Sequence, residues 1–282
     1  MKRFDSIDEV RALIAEWHEA GGTVALVPTM GNLHKGHMSL VARAAGEADH
    51  VVVSIFVNPT QFGPNEDYED YPRSLDADSR RLSQAGVDLL FAPSVETMYP
   101  DGADVATTVN VPGLSDVLEG EHRPGHFEGV TSVVCRLLNI CNPDVAVFGQ
   151  KDYQQFAILK RMAADLQLPV RLVAEPTERE QNGLAMSSRN GYLDDDQQQT
   201  ATAIYKSLQQ AQTELLDGAR DYPELERAAE ASIKAAGLSP EYVAIREVGD
   251  LSQPGPDSTD LVVLTAARLG KVRLIDNLIV TL

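Results

Sequence analysis

An apolar run, Thr23-Val24-Ala25-Leu26-Val27, passes into Pro28-Thr29-Met30-Gly31-Asn32-Leu33 and then into His34 and His37, which flank Lys35-Gly36. A strand that ends in a glycine-broken loop and restarts as a helix delivers that loop to the carboxyl edge of a sheet. Gly31 and Gly36 let the backbone come close to a ligand. The following helix aims its free N–H groups and positive dipole end at whatever sits there. Histidines three apart share one face of the first turn, so both reach the same group. Such a pair also suits a metal ion or an ordinary exposed helix start. Zinc hydrolases, however, space their histidines at i and i+4 with a glutamate between them. Here Lys35 lies between, and a cation opposes a metal but helps to hold an anion. The stretch favours phosphate.

Strand and helix go on alternating along the chain. Ser6-Ile7-Asp8-Glu9 predicts a capping box, followed by Val10, Leu13, Ile14 and Trp17 on one helical face up to Gly21-Gly22. A helix from about Gly36, with Leu40 and Val41 inward, precedes a buried strand at 51–57. Residues 74–85 predict a helix, 88–91 a short strand, and Val130, Val133, Val134, Leu137 and Leu138 an amphipathic helix. A strand at 145–148 feeds Gly149-Gln150-Lys151-Asp152, a second loop with glycine and a cation; a helix through Leu159 and Leu166 and a strand at 170–174 follow. This is the signature of an α/β fold with a Rossmann-like parallel sheet. After Pro176 a polar loop runs to Asn190, then helices at about 196–215 and 223–236, and strand-like runs at 242–248, 261–267 and 272–279. These predict a smaller α+β domain with a mixed or antiparallel sheet. The expected domains are residues 1–175 and 176–282.

At 282 residues and 43% hydrophobic, the chain is long and apolar enough for a substantial core, yet no apolar run nears the ~18 residues of a membrane span. No secretory signal pattern opens it, so the cytoplasm is the expected compartment and a membrane partner is not expected. A net charge of −18 argues against a broad nucleic-acid surface, which needs a basic face. Any phosphate site is then a local cationic pocket in an acidic protein. Cys135 and Cys141 lack C-x-x-C spacing and are expected to be buried, reduced thiols.

A further segment, Gly183-Leu184-Ala185-Met186-Ser187-Ser188-Arg189-Asn190, gathers two hydroxyls and a guanidinium. These groups suit phosphate oxygens, although Ser-Ser-Arg also occurs in plain exposed loops. Taken in order, Pro28 to His37, Phe56-Val57-Asn58-Pro59-Thr60-Gln61-Phe62, Phe148-Gly149-Gln150-Lys151-Asp152-Tyr153-Gln154-Gln155 and Met186-Ser187-Ser188-Arg189-Asn190 resemble the pantothenate synthetase family across essentially the whole chain. His34-Lys35-Gly36-His37 resembles the HIGH motif, and Met186 to Arg189 the KMSKS motif, of the nucleotidylyl-transfer superfamily that includes class I aminoacyl-tRNA synthetases.

The resemblance implies an ATP-dependent ligase. (R)-Pantoate and ATP, with Mg²⁺, form pantoyl adenylate and pyrophosphate, and β-alanine then attacks to give pantothenate and AMP. A carboxylate is a poor electrophile, and a mixed anhydride supplies its leaving group. Negative charge builds on the α-phosphate and pyrophosphate, so fixed positive charge and oriented donors are what the protein contributes. The resemblance makes His34, His37, Lys151 and Arg189 the catalytic set, with His37 the better candidate for a protonated donor and Lys151 holding phosphate. Ser187, Ser188 and Arg189, on a loop with Met186, close over pyrophosphate. Gly149 and Asp152 bind ribose beside Gln150, and Met30 and Gly31 offer backbone. Gln61 and Gln155 are the substrate-binding residues for pantoate and β-alanine, with hydrogen bonds to the pantoate hydroxyls and carboxylate. The resemblance also implies a homodimer.

By residue type alone, Gln61 and Gln155 are equally ordinary surface amides, Asp152 a salt-linked neighbour of Lys151, and Asn58-Pro59 a turn signal. Glu178 departs from the family pattern, which generally has an apolar residue against the adenine; either its stem covers the ring or only its backbone touches the base. Asn65-Glu66-Asp67, Asp76 and Asp78 are acids within reach of an Mg²⁺ role, but the ion is expected to be held mainly by ATP and water, and no ligand is named. Two other classes fit parts of the pattern. A nucleotidylyltransferase acting on a phosphate acceptor calls for cations where Gln61 and Gln155 stand. A nucleotide sensor has no need of His37, Lys151 and Arg189 around one phosphate.

Overall fold

Strands that are apolar on both faces set the architecture. In the computed structural model, which describes residues 1–64 and 66–282, the chain divides into two units. One comprises Met1–Gln150 with Gln155–Pro176, and the other Thr177–Leu282 with Lys151–Gln154.

The first unit runs β1 (Lys2–Phe4), α1 (Ile7–Glu19), β2 (Val24–Thr29), α2 (Lys35–Ala45), β3 (His50–Ile55), α3 (Leu75–Gln84), β4 (Leu89–Phe91), α4 (Val95–Met98), α5 (Glu119–His122), α6 (His126–Cys141), β5 (Val145–Gly149), α7 (Tyr153–Asp165) and β6 (Arg171–Glu175). The six strands lie in the order β1-β4-β3-β2-β5-β6, every pair parallel. Alternate residues go to opposite faces. Val24, Leu26, Val52, Leu89, Phe91 and Ala146 pack with Leu13 of α1, Leu137 of α6 and Ile158 of α7. Ala25, Val27, Val51, Val53, Leu90 and Val147 pack with Leu40 and Val41 of α2 and Leu82 of α3. A period-2 backbone sandwiched between helices therefore appears in sequence as unbroken apolar runs. From β2 the chain builds outward through β3 and β4, then returns to place β5 on the other side of β2. That reversal puts a topological switch point at the carboxyl ends of β2 and β5.

Three local features differ from expectation. β1 is a short edge strand of largely exposed Lys2 and Arg3, with no apolar pattern to announce it. Ser6 has extended N-cap backbone but makes no side-chain cap bond, and Asp8 and Glu9 complement the helix dipole instead. Both cysteines are free; Cys141 is buried, its thiol pushed up to about 12 by burial, whereas Cys135 is only half-buried. Among the described residues no helix is long and apolar enough to cross a membrane.

The second unit contains α8 (Asp195–Leu216), α9 (Tyr222–Ala235) and an antiparallel sheet, β7 (Ser239–Glu247), β8 (Asp260–Leu269) and β9 (Val272–Thr281), in that order. Ala201, Ile204, Leu208, Ala211 and Leu215 recur at helical spacing on α8 and pack with Leu225 and Ile233 of α9 against Ile245, Leu261 and Val263. Asp194 and Gln197 form a capping box at the start of α8.

Candidate active site

The loop after β2 is shaped by a buried carboxylate. Gly31 and Asn32 both take positive φ, +84° and +51°. A Cβ on Gly31 would lie 3.1 Å from Ile55 Cγ2 and 3.3 Å from Asp78 Oδ2, so only glycine fits there without strain. Asp78 of α3, only 1% exposed, accepts from the backbone N–H groups of Asn32 (2.8 Å) and Leu33 (2.9 Å) and from Ser74 Oγ (2.9 Å). Arg81, one turn on, donates to the Leu33 carbonyl. Thr29 Oγ1 donates to Ser54 O (2.8 Å) and accepts from Gly31 N (3.2 Å). Asp78 is thus committed to shaping the loop that carries Met30 and Gly31.

The two histidines form a capping box of their own. His34 is the N-cap of α2, and its Nδ1 accepts from Gly36 N at 3.1 Å; His37 Nδ1 accepts from His34 N at 3.2 Å. The rings stand 4.1 Å apart. Because a backbone N–H can only donate, both Nδ1 atoms are acceptors, and each neutral ring carries its proton on Nε2. In its neutral form His37 thus carries its proton on Nε2, whereas an imidazolium would set a second N–H against the His34 amide.

Gln61 ends a short turn, Pro59–Gln61, that follows β3. Its Nε2 reaches Met30 Sδ at 3.1 Å, and its Oε1 accepts from Asn58 Nδ2 at 3.2 Å. Asn58, 1% exposed, also donates to Gly129 O (3.1 Å) and accepts from Tyr99 OH (2.8 Å) and Thr60 Oγ1 (3.1 Å). The asparagine that signals a turn in the sequence is a buried hub that fixes which way the Gln61 amide faces. His126, at the start of α6, holds the Gln61 carbonyl at 2.7 Å. Glu66 forms a two-pronged pair with Arg123, both contacts 2.7 Å. Burial pushes the Glu66 carboxyl up, but the guanidinium overrides this and holds it at about 2. Glu66 and Asp78, two of the acids near a possible Mg²⁺ role, are therefore engaged elsewhere. Asp76 stands in the first turn of α3, and Asn65 lies outside the described residues. Among the described residues no group of three or more metal-binding side chains is arranged to hold an ion.

β5 ends at Gly149, next to the Gln150–Asp152 turn, and Gln155 lies half-buried in the first turn of α7. In the second unit Lys151 Nζ lies 3.9 Å from Asp152 Oδ1, the neighbour pairing that residue type allowed. Asn277 of β9 donates from Nδ2 to Lys151 O at 2.9 Å. Residues 178–186 form a hairpin-like turn: Met186 N donates to Glu178 O (2.9 Å), and Arg179 bridges Ala185. The exposed Glu178 uses its backbone there. Arg179 grips Asp276 through two contacts (2.6 and 2.9 Å), donates to Gly183 O (3.2 Å) and sits 3.7 Å over the Tyr205 ring. Ser187 caps the turn Ser188–Tyr192 by accepting from Arg189 N at 3.2 Å, and Asn190 donates to Ala185 O at 3.0 Å.

Asn58 and Thr29 lie within the motifs, but Asp78, Arg123, His126, Arg179, Asp276 and Asn277 support the site from outside them. Asp276-Asn277 did leave a signal, a polar pair inside the apolar run Leu274 to Val280, and Arg123 and His126 are set three apart around the start of a helix.

The description "Pantoate-beta-alanine ligase" belongs to a family model that matches residues 2–279. Pantothenate synthetase of Thioalkalivibrio sulfidiphilus is 56% identical over 271 residues, 96% of this chain and 95% of its own. The crystal structure of pantothenate synthetase from Thermus thermophilus matches with a TM-score of 0.92 at 44% identity, over 99% of each chain. That of pantoate-beta-alanine ligase from Francisella tularensis, complexed with beta-gamma ATP and beta-alanine, matches with a TM-score of 0.82 at 35% identity, over 99% of this chain and 97% of its own. With its Rossmann-like parallel sheet, paired histidines and near-complete match to the family model, this chain belongs to the pantoate-beta-alanine ligase family.

Proposed function

We propose that this enzyme condenses (R)-pantoate with β-alanine in two steps, through a pantoyl adenylate. In the first, the pantoate carboxylate attacks the α-phosphorus of ATP and pyrophosphate leaves. In the second, the β-alanine amine attacks the acyl carbon, and AMP departs with the bond electrons. The observation that carries this reading is the histidine capping box, whose acceptor bonds at both Nδ1 atoms put the proton of each neutral ring on Nε2 at the N-terminus of α2. Donors oriented before the reaction stabilise developing phosphate charge without reorganising.

His37 and His34 donate to the triphosphate, Lys151 holds phosphate, and Ser188 and Arg189 close over the leaving pyrophosphate with Ser187 and Met186 on the same loop. Gly149, Gln150 and Asp152 take the ribose, and the Glu178 backbone takes the adenine edge. Met30 and Gly31 line the loop with backbone groups. Gln61 and Gln155 bind pantoate by hydrogen bonds; an uncharged amide does so without trapping the carboxylate in an over-stable ion pair. The engaged states of Glu66 and Asp78 do not fit a protein cage for Mg²⁺, so the ion accompanies ATP, held by phosphate and water. The adenylate's own phosphate, or a water, accepts the amine proton. The C-terminal domain, residues 176–282, acts as a lid, and the enzyme works as a cytoplasmic homodimer.

Pyrophosphate exchange into ATP, measured with pantoate present and β-alanine absent, tests the adenylate. Exchange under those conditions is expected. A requirement for β-alanine, or AMP formed without any carboxylic acid, overturns the two-step scheme.

A further inference from the structure

We propose that His126 is a positioning residue for pantoate recognition, acting through the backbone carbonyl of Gln61. The inference rests on Gln61 being a pantoate ligand. Gln61 is held at its side-chain oxygen by Asn58 Nδ2 (3.2 Å), at its Nε2 by Met30 Sδ (3.1 Å) and at its carbonyl by His126 Nδ1 (2.7 Å). The roles at the carbonyl contact are settled by its partners. A carbonyl only accepts, so His126 Nδ1 carries the proton. A guanidinium only donates, so Nε2 accepts from Arg123 Nη1 at 2.9 Å. His126 is therefore a neutral ring of the tautomer opposite to that of His34 and His37. Arg123 is oriented in turn by its two contacts with Glu66, so a continuous chain runs from Glu66 through Arg123 and His126 to the backbone that carries Gln61.

The groups facing the ring keep it neutral. Burial comes first and the Arg123 charge second, against weaker help for the cation from the Gln61 carbonyl, Glu66 and Glu119; together they hold His126 down at about 4. A protonated ring would turn an N–H towards the guanidinium and break the chain at its middle. At neutral pH the donor at Nδ1 is thus permanently set, as an element that orients a substrate ligand requires.

Side-chain reach gives the test. An asparagine amide at position 126 places an N–H near where Nδ1 stood, and a glutamine amide nearer to Nε2. Steady-state kinetics with pantoate varied are expected to show His126→Ala and His126→Gln raising the KM for pantoate by about tenfold, the worth of one well-made hydrogen bond, with the KM for ATP unchanged. His126→Asn is expected to recover most of that loss, which a merely space-filling role would not reproduce. Equal behaviour of His126→Asn and His126→Gln overturns the proposal. Should His126→Ala fail to fold, Glu66→Gln loosens the chain with the ring in place; it too is expected to raise the pantoate KM, and an unchanged value overturns the proposal. Gln61→Ala separates the two levels. If it raises the pantoate KM while His126→Ala does not, positioning by His126 fails alone; if it too leaves pantoate unaffected, the assignment of Gln61 as a ligand fails.

Discussion

Asn277 donates from its side chain to the main-chain carbonyl of Lys151 at 2.9 Å, which ties a candidate phosphate-holding lysine to the last strand of the C-terminal sheet. The two residues lie 126 positions apart, and Lys151–Gln154 groups with residues 177–282 although the chain on either side belongs to the other unit. Replacing Asn277 by Ala removes the tether and leaves the lysine itself intact. Small misplacements of a positioned group cost rate steeply, so pyrophosphate exchange is expected to fall by about tenfold. A rate within twofold of wild type would show that Lys151 needs no such anchor.

Arg179 and Asp276 form a pair with the carboxylate side chain only 4% exposed and the guanidinium 17% exposed. Removing one member of a buried pair strands the other. Asp276→Ala is expected to lower stability by about 3–5 kcal/mol, with the Tyr205 ring under the guanidinium keeping the loss from the upper end. Denaturant titration reads this directly, and the same variant should bind ATP more weakly because Arg179 also holds the 178–186 turn.

Gly129 on α6 sits where a Cβ would meet Thr60 O at 2.3 Å, and that obstacle is backbone. Gly129→Ala must push the helix away from the Pro59–Gln61 turn. A loss of about 1–3 kcal/mol in thermal or denaturant unfolding is expected, as for overpacking generally, together with a raised KM for pantoate. An alanine variant with wild-type stability would mean the turn yields freely.

His37→Ala is expected to cut turnover on the order of 10²-fold, the usual effect of losing one preorganised donor. The stability change should be far smaller, about 1 kcal/mol, because only one N-terminal amide loses its acceptor. Pre-steady-state adenylate formation set beside a thermal melt separates the two effects; a change confined to ATP affinity would count against the donor role.

Much of the fold was legible because its determinants are local. Residues 24–27, 51–53 and 145–148 are apolar on both faces, and only a strand covered on both sides needs that pattern. The loops that carry Gly31, His34, His37 and Lys151 follow from glycine and cation placement at strand ends. Most of their supports were not legible, because those partners come from far along the chain. Asp78 serves Asn32 across 46 residues and His126 serves Gln61 across 65, and a buried carboxylate or imidazole spent on a backbone group has no spacing to betray it. The same distance problem made Asp78 look available to an ion. β1 leaves no signal for the opposite reason: an exposed edge strand buries too little to impose a pattern.

A helix usually starts with a hydroxyl or acid at its N-cap and a glutamate three residues on, oxygen acceptors that would meet an incoming polyphosphate with lone pairs or negative charge. In α2 imidazoles perform that task with one nitrogen each and bring no carboxylate to the helix start. Anyone optimising this protein for heat resistance by installing a standard serine and glutamate there would harvest a sturdier helix and an idle catalyst. Durability and turnover are bargained over in the same two side chains.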